Sequence, residues 1–298
     1  MKKFNLTKLV IICSLLSLLS ACSDSTKQSD AVDQSTIRFA IIGDYGNPDN
    51  KFASIHVSDL VKSWRPQFIA TVGDNNYPSG EASTIDANVG QYYSYYMHPY
   101  KGSYGKGSPD GKNHFYPAIG NHDYYTDLGS AHFDYFNFSD NQAYYDVNLG
   151  LVHLIIMDSN LKEESHPDSP QGKWVKNILQ TSSAQWKLVL LHHPPSSSGR
   201  SGGFGRYRWS FRDWGATAVI AGHEHFYERM DHFGIPYFIN GLGGAGIHKF
   251  RSTHEQSIIR YNDKYGAMRV TADNANIRFE FINIDNKVID QFDFPPAE

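Results

Sequence analysis

The chain has 298 residues, of which 40% are hydrophobic, so it is long enough to bury the core of one large domain. Its formal net charge is −4, from 27 basic and 31 acidic residues that are spread without long runs. This distribution offers no broad positive surface to a nucleic-acid backbone, and we expect no nucleic-acid partner.

The amino terminus has the pattern of an export signal, with three lysines and an apolar run from Leu9 to Leu19. The run is about half of the ~20 residues that cross a bilayer as a helix, so a permanent membrane span is the weaker interpretation. Leu19-Ser20-Ala21-Cys22 resembles the lipobox of bacterial lipoproteins, in which the cysteine is acylated and becomes the first residue of the mature chain. An ordinary signal peptide cut near a cysteine is the alternative.

The lipobox resemblance implies a signal peptide at 1–21 and a lipid anchor at Cys22. It also implies an exported protein held at the cell envelope, facing the periplasm or in the outer membrane. Residues 22–36 are polar and rich in Ser, Asp and Gln, which is typical of a flexible tether. We expect one catalytic domain at 37–298. Cys13 leaves with the signal and Cys22 is acylated, so any metal ion must be bound through oxygen and nitrogen.

The domain opens with a predicted strand, helix and strand. The apolar run Ile37 to Ile42 stops at Gly43-Asp44, and the run Phe68 to Val72 stops at Gly73-Asp74. Between them, apolar residues from Ala53 to Trp64 follow helical spacing. Such a crossover makes adjacent parallel strands, so both aspartates are expected at carboxyl ends of the sheet.

Three later apolar runs also stop at a polar residue: Leu151 to Met157 before Asp158, Lys187 to Leu191 before His192, and Thr217 to Ala221 before Gly222-His223. Because ligands gather outside the carboxyl ends of strands in α/β sheets, five such runs predict one shared site. We also expect a helix after Ser169-Pro170, and antiparallel strands at 267–271, 277–284 and 288–294. The turn-rich stretch Tyr77 to Pro117 is interpreted as a long excursion over the site.

Five short blocks carry the candidate chemistry: Gly43-Asp44-Tyr45-Gly46, Gly73-Asp74-Asn75-Asn76-Tyr77, Gly120-Asn121-His122-Asp123, His192-His193-Pro194 and Gly222-His223-Glu224-His225. Each block alone is a weak signal, since a lone histidine is more often a core or surface residue. Together they resemble the signature of calcineurin-like metallophosphoesterases. The second block has the form Gly-Asp-x-x-Tyr, and with Tyr227-Glu228-Arg229 it narrows the resemblance to purple acid phosphatases.

This resemblance implies an α/β fold, a four-layer α-β-β-α sandwich of two mixed β-sheets flanked by helices. It implies hydrolysis of a small phosphorylated substrate, a phosphate monoester, outside the cytoplasm. Two alternatives stay open: a phosphodiesterase or nucleotide hydrolase on the same site, and a non-catalytic metal-binding surface lipoprotein. Metal ligands do not encode the leaving group, so the motifs do not separate the first alternative from the main hypothesis.

The resemblance also implies two metal ions. Two cations about 3.5 to 4 Å apart repel each other and need an anionic bridge, for which Asp74 is the natural candidate. The first site would hold Fe(III) and the second Fe(II), Zn(II) or Mn(II). The expected ligands beside Asp74 are Asp44, Tyr77 and His225 for the first site, and Asn121, His192 and His223 for the second.

Three further residues are candidates for contact with the substrate. His122 is placed to protonate the leaving alcohol or to orient the phosphate, and its alternative role is only to order the loop. His193 either contacts the substrate or only packs against neighbouring side chains. Purple acid phosphatases usually carry a further histidine a few residues after this block, where Ser196 to Arg200 stands here, so Arg200 could bind phosphate instead. A solvated loop arginine is the alternative.

Two expectations concern residues near the site that are given no ligand role. Asp158 either hydrogen-bonds a ligand histidine or caps the turn that follows its strand. Asp123→Ala is expected to affect activity and metal content far less than Asp74→Ala.

Overall fold

The computed structural model describes Met1 and residues 36–138, 144–232 and 234–295. The predicted signal peptide, the anchor Cys22 and the tether up to residue 35 fall outside these residues, apart from Met1, and stay predictions. Among the described residues, no helix is both long and apolar enough to cross a bilayer.

The strands, in chain order, are β1 Ile37–Ile42, β2 Phe68–Thr71, β3 Phe115–Pro117, β4 Tyr145–Asn148, β5 Val152–Ile156, β6 Trp186–Leu191, β7 Ala218–Ala221, β8 Tyr227–His232, β9 Ile235–Asn240, β10 Ser257–Tyr261, β11 Gly266–Ala272, β12 Ile277–Asn283 and β13 Val288–Phe294. The α-helices are α1 Lys51–Ser63, α2 Ala82–Ile85, α3 Gln91–Tyr93, α4 Asn121–Tyr124, α5 Ser130–Tyr135 and α6 Pro170–Thr181. A π-helical turn, Asp86–Gly90, joins α2 to α3. Single 3₁₀ turns lie at Pro48–Asn50, Ser94–Tyr96, Asp127–Gly129, Lys162–Glu164 and Gly205–Tyr207.

These strands form two mixed sheets. The six-stranded sheet has the order β13-β12-β11-β1-β2-β3, and the seven-stranded sheet has the order β10-β8-β9-β7-β6-β5-β4. The strands β1 and β2 are parallel neighbours, as the crossover predicted. The carboxyl-terminal strands β11, β12 and β13 are antiparallel and complete the first sheet beside β1.

Alternation along the strands produces four layers. In β1, Phe39 and Ile41 point into a core between the sheets, which also contains Leu188 of β6. Ala40 and Ile42 of β1 point to the opposite face and pack with α1. On the far side, α6 packs on the outer face of the second sheet. The predicted sandwich of two mixed sheets flanked by helices is therefore confirmed.

Local sequence signals set the ends of α6. Ser169 is the N-cap, and its Oγ accepts a hydrogen bond from the backbone N–H of Gly172 at 3.0 Å. Pro170 occupies the first helical turn, where its missing N–H costs nothing. The helix buries Val175 and Leu179 against the sheet, which matches the apolar spacing in the sequence.

The stretch Tyr77 to Pro117 differs from the sequence expectation. It forms short helical turns whose aromatic side chains, such as Tyr93 and Tyr96, are buried with Val57 and Leu60 of α1. Burial of this much aromatic surface is more favourable against α1 and the outer face of the first sheet than over a hydrated site. The excursion thus packs mainly on the outer face of the first sheet, and Tyr93 and Tyr96 are part of that packing.

Candidate metal centre

The candidate site is built from loops that follow two pairs of parallel neighbours, β1 and β2 in the first sheet and β6 and β7 in the second. Asp44, Asp74, His192 and His223 lie one to three residues beyond the ends of β1, β2, β6 and β7. Three of them have left-handed backbone conformations, with φ of 55° at Asp44, 53° at Asp74 and 70° at His223. Each such conformation costs on the order of 1–3 kcal/mol in a non-glycine residue, and such strain clusters at functional sites.

The first group of side chains converges on the phenol of Tyr77. Its Oη lies 2.9 Å from Asp74 Oδ2, 3.4 Å from Asp44 Oδ1 and 3.1 Å from His225 Nε2. His225 Nε2 also lies 3.3 Å from Asp44 Oδ1. Two carboxylates, a phenol and an imidazole thus surround one point.

The second group converges on the side-chain oxygen of Asn121. This Oδ1 lies 3.0 Å from His192 Nε2 and 2.9 Å from His223 Nδ1, and the two nitrogens are 3.3 Å apart. His192 Nε2 is also 3.3 Å from Asp74 Oδ1. One carboxylate oxygen of Asp74 therefore faces the first group and the other faces the second, which is the arrangement that a bridging carboxylate requires.

The donor set fits two cations. Asp44 and His192 are fully buried and Asp74 is 1% exposed, so two carboxylates lie out of water beside few positive groups. Buried charges of this kind are costly unless they are paired or coordinate a metal. Ligand atoms of Asp44, Asp74 and His192 lie within 4.8 Å of one another, and so do those of His192, His193 and His223. Oxygen and imidazole nitrogen suit iron, zinc and manganese.

The electrostatics of these residues also favour positive charge. Burial lowers the pKa of His192, but the attraction of Asp74, its hydrogen bond and the attraction of Asp44 outweigh this and raise the pKa to about 9. Burial raises the pKa of the Tyr77 phenol well above 10, and Asp74 and Asp44 raise it further. Tyr77 therefore ionises only if a strongly positive ion lies beside it.

Backbone carbonyls orient two of the imidazoles. His192 Nδ1–H donates to the carbonyl of Val72 at 2.8 Å, and His225 Nδ1–H donates to the carbonyl of Gly246 at 2.6 Å. Each bond leaves the Nε2 lone pair directed at the site. The backbone N–H of His223 binds both carboxylate oxygens of Asp44 at 3.1 and 3.0 Å and so fixes this side chain.

His122 is held over the first group. Its backbone N–H donates to Asp74 Oδ1 at 2.8 Å, and its Nδ1–H donates to the carbonyl of Pro78 at 2.6 Å. The imidazole lies 4.3 Å from the Tyr77 ring between centroids. His122 also lines an open cleft, so its Nε2 is the nitrogen left for chemistry there.

The cleft has a volume of about 790 Å³ and opens onto both groups. It is lined by Asp74, Asn121, His122, Tyr125, Arg200, Ser201, His223, Glu224, His225, Ile247, His248, Lys249 and Arg251. Arg200 is thus brought to the site. Tyr77 and Pro78, the first residues of the predicted excursion Tyr77 to Pro117, lie at the site, but none of residues 79–117 lines the cleft, so the rest of the excursion does not cover it.

His193 does not line the cleft. It is buried, its Nδ1 lies 2.8 Å from Ser159 Oγ, and its ring packs 4.6 Å from the rings of both Phe204 and His223. These contacts favour the packing role over contact with substrate.

Asp158 caps its own turn, because its Oδ1 accepts hydrogen bonds from the N–H and the Nδ2 of Asn160 at 2.8 and 2.9 Å.

Sequence reasoning missed the part played by Asp123. This carboxylate is fully buried and accepts hydrogen bonds from the backbone N–H groups of Asn75, Asn76 and Gly120, each at 2.9 Å, and from Asn75 Nδ2 at 2.8 Å. It ties the loop of Asp74 to the loop of Asn121. The expectation that Asp123→Ala affects activity and metal content far less than Asp74→Ala stays a prediction, and the structure adds a role for Asp123 in holding the two loops. Its position beside Asn121-His122 was the signal in the sequence.

A sandwich of two mixed sheets with this site at its strand ends defines the protein as a metallophosphoesterase. The model of the calcineurin-like phosphoesterase family matches residues 37–227, which is most of the chain. The chain therefore belongs to this family and is a phosphate ester hydrolase. Purple acid phosphatase-like members of the family use a dinuclear metal centre, and the residues described above are candidates to hold one here.

Its relatives include plant purple acid phosphatases. Purple acid phosphatase 7 of Arabidopsis thaliana is 21% identical, over 88% of this chain and 86% of its own length. The structure of a purple acid phosphatase from yellow lupin (Lupinus luteus) seeds superposes with a TM-score of 0.74 at 18% identity and covers 88% of this chain, which spans 54% of the lupin protein. GAP50, the anchor in the inner membrane complex of Plasmodium, superposes with a TM-score of 0.70 at 18% identity, over 89% of this chain and 90% of its own. At 18% identity, both superpositions show a shared fold and nothing more.

Proposed function

We propose that this protein hydrolyses phosphate monoesters outside the cytoplasm, in the manner of a purple acid phosphatase. The observation that carries the proposal is the position of Asp74, whose two oxygens face two separate groups of metal-ligand side chains. A site of this kind binds two cations at one substrate phosphate.

The seven predicted ligands would divide between two ions that share Asp74. Tyr77 is the reason to assign Fe(III) to the first ion, since a phenol with a raised pKa becomes a ligand only beside a highly charged cation. The second group, with a neutral amide and two imidazoles, suits Fe(II), Zn(II) or Mn(II). When bound, the two ions supply a water nucleophile near neutral pH and neutralise charge on the phosphoryl group.

His122 is the residue proposed to move a proton. Hydrolysis forms a bond from water oxygen to phosphorus and breaks the bond from phosphorus to the ester oxygen. The leaving oxygen needs a proton, and the Nε2–H of protonated His122 would supply it, since Nδ1 is occupied by Pro78. The proton released by the attacking water would balance the one that His122 gives up, and the products are an alcohol and inorganic phosphate.

Export and anchoring are part of the same proposal. The signal at 1–21 and the lipid on Cys22 would place the cleft outside the cytoplasm, facing the periplasm or at the outer membrane, tethered through 22–36. This part rests on the sequence pattern alone.

The two alternatives are weighed by different features. A phosphodiesterase or nucleotide hydrolase would use the same ligands, and only turnover separates it from a monoesterase. For the non-catalytic alternative, the Plasmodium protein of similar fold is named as an anchor. The full ligand set and an oriented His122 beside an open cleft favour catalysis here.

The test is the turnover of matched esters by the purified protein. 4-Nitrophenyl phosphate and bis(4-nitrophenyl) phosphate release the same leaving group, so the ratio of their kcat/KM values reports the preference for monoesters. We expect a ratio above about 10, which is ~1.4 kcal/mol in the transition state. A preference for the diester would overturn the monoesterase proposal, and metal-loaded protein without turnover of either ester would favour the non-catalytic alternative.

A further inference from the structure

Three cationic side chains line the cleft. Arg200, Lys249 and Arg251, here named the cationic rim, share the cleft with Asp74 and His122 and are exposed to solvent. They come from two loops that lie apart in sequence, which the structure brings to the same opening.

The charge of the cationic rim is not balanced locally. Within the described parts of the chain, none of its three side chains has a carboxylate partner. The carboxylates that line the cleft are Asp74 and Glu224. Glu224 is occupied by the N–H and hydroxyl of Ser201, at 2.9 and 2.6 Å, and by His248 Nδ1 at 3.5 Å. The cleft beyond the metal centre is therefore positively charged.

The two loops of the cationic rim are joined through a buried serine. Ser198 donates from its backbone N–H and its hydroxyl to the buried carboxylate of Glu228, at 2.9 and 2.5 Å. The carbonyl of Ser198 accepts hydrogen bonds from the backbone N–H groups of Arg251 and Ser252, at 3.0 and 3.2 Å. Ser198 is held by Glu228 because a buried carboxylate without its donors is costly. The carbonyl of Ser198 in turn holds the loop of Arg251 beside it.

Arg200 is also held in place on its other side. Ser201 binds Glu224, and a Cβ added to Gly199 would lie 2.4 Å from the carboxyl carbon of Glu224, so the loop rests directly on this side chain. The backbone of Arg200 is thus fixed between Ser198 and Ser201. A backbone held in this way keeps the exposed Arg200 side chain at the opening of the cleft.

We infer that the cationic rim is a subsite for a second anionic group of the substrate. The substrate class is a small phosphate ester whose leaving group carries a second phosphate. The scissile phosphate lies at the Asp74 side of the cleft and the second phosphate lies at the rim, where arginine and lysine donate several N–H groups to its oxygens. This inference rests on the proposed function for the position of the scissile phosphate.

The test uses ligands that are not hydrolysed. Isothermal titration of the metal-loaded protein measures its affinity for alkane bisphosphonates with two to eight carbons and for the monophosphonates of the same chain length. We expect the best-spaced bisphosphonate to bind about tenfold more tightly than its monophosphonate, because several exposed ion pairs add to about this amount. The preference should shrink as salt is raised.

The variants locate the subsite. In the double variant Arg200→Gln/Arg251→Gln the preference should fall toward one. The matched control is Arg38→Gln, which removes an exposed arginine of β1 that does not line the cleft, and it should keep the preference. Equal affinity for bisphosphonates and monophosphonates at every length, or a full preference in the double variant, would overturn the inference. Bisphosphonate preference without ester turnover would refute the proposed hydrolysis and leave the subsite standing.

Discussion

Replacement of Asp123 by alanine is expected to destabilise the loops that carry the metal ligands. Asp123 is fully buried and accepts four hydrogen bonds, from three backbone N–H groups and the side-chain amide of Asn75. In the alanine variant the three backbone N–H groups stay buried without a partner, and one N–H of the Asn75 amide loses its acceptor while the other keeps the carbonyl of Ala118. Asp123 belongs to neither group of metal ligands, so its effect is a matter of loop structure.

The size of the effect follows from the number of bonds. A buried donor without a partner costs about 1–3 kcal/mol, and four donors at the low end give about 4 kcal/mol. Part of this loss is offset, because the variant no longer buries a charged carboxylate near Asp74. Burial, the main cause, and repulsion from Asp74, the second, raise the pKa of Asp123 to about 6. We expect a net loss of about 3 kcal/mol, or a fall of roughly 6–12 °C in Tm.

The assay is urea unfolding of Asp123→Ala, with metal content per chain measured on the same sample. Asp134→Ala, which removes an exposed aspartate from α5, is the matched control and should change stability by less than about 0.5 kcal/mol. A free energy of unfolding within 1 kcal/mol of the wild type for Asp123→Ala, with full metal content, would refute the role of these hydrogen bonds.

Three further variants test separate features. Burial lowers the pKa of His132 to about 3 from 6.5, so the unfolded chain binds more protons and stability falls as the pH drops through this window. His132→Phe should remove that dependence of the free energy of unfolding on pH, up to ~1.4 kcal/mol per pH unit, as measured by urea unfolding at pH 6.5 and 5. An unchanged dependence would show that His132 is not its source. Tyr77→Phe should bleach the purple to pink colour of the iron-loaded protein, whereas a colourless, active wild type with two zinc or manganese ions would defeat the iron assignment. Cys22→Ala should abolish detergent partitioning, and unchanged partitioning would remove the lipoprotein hypothesis.

The strand ends that carry the site could be predicted because each signal is local. An apolar run that stops at Gly-Asp or at histidine shows both the strand and the polar residue beyond it, as at Asp44, Asp74 and His192. Parallel neighbours then bring such residues to one edge. Pairing alone brings Asp44 to Asp74 in the first sheet and His192 to His223 in the second, whereas the meeting of the two sheets at one site was implied by the family resemblance.

The strand β8 shows what local patterns do not reveal. Its sequence, Tyr-Glu-Arg-Met-Asp-His, has charged residues in place of an apolar run, yet Glu228 is fully buried and Arg229 is 9% exposed. The charges are satisfied by distant partners: Arg229 Nε lies 2.6 Å from Asp290 Oδ2, and Glu228 binds Ser198. The partners of Asp123 are likewise up to 48 residues away. Such pairs depend on the tertiary structure and leave no periodic signal.

Asp74 is proposed to bridge two metal ions, and anomalous diffraction from crystals of the purified protein can locate both ions. Data collected at the iron, zinc and manganese edges locate each ion and identify it. We expect two peaks about 3.5–4 Å apart, one beside Tyr77 and His225 and one beside Asn121 and His192, with Asp74 between them. A single peak, or a catalytically active crystal form with no peak at Asp74, would contradict the proposal.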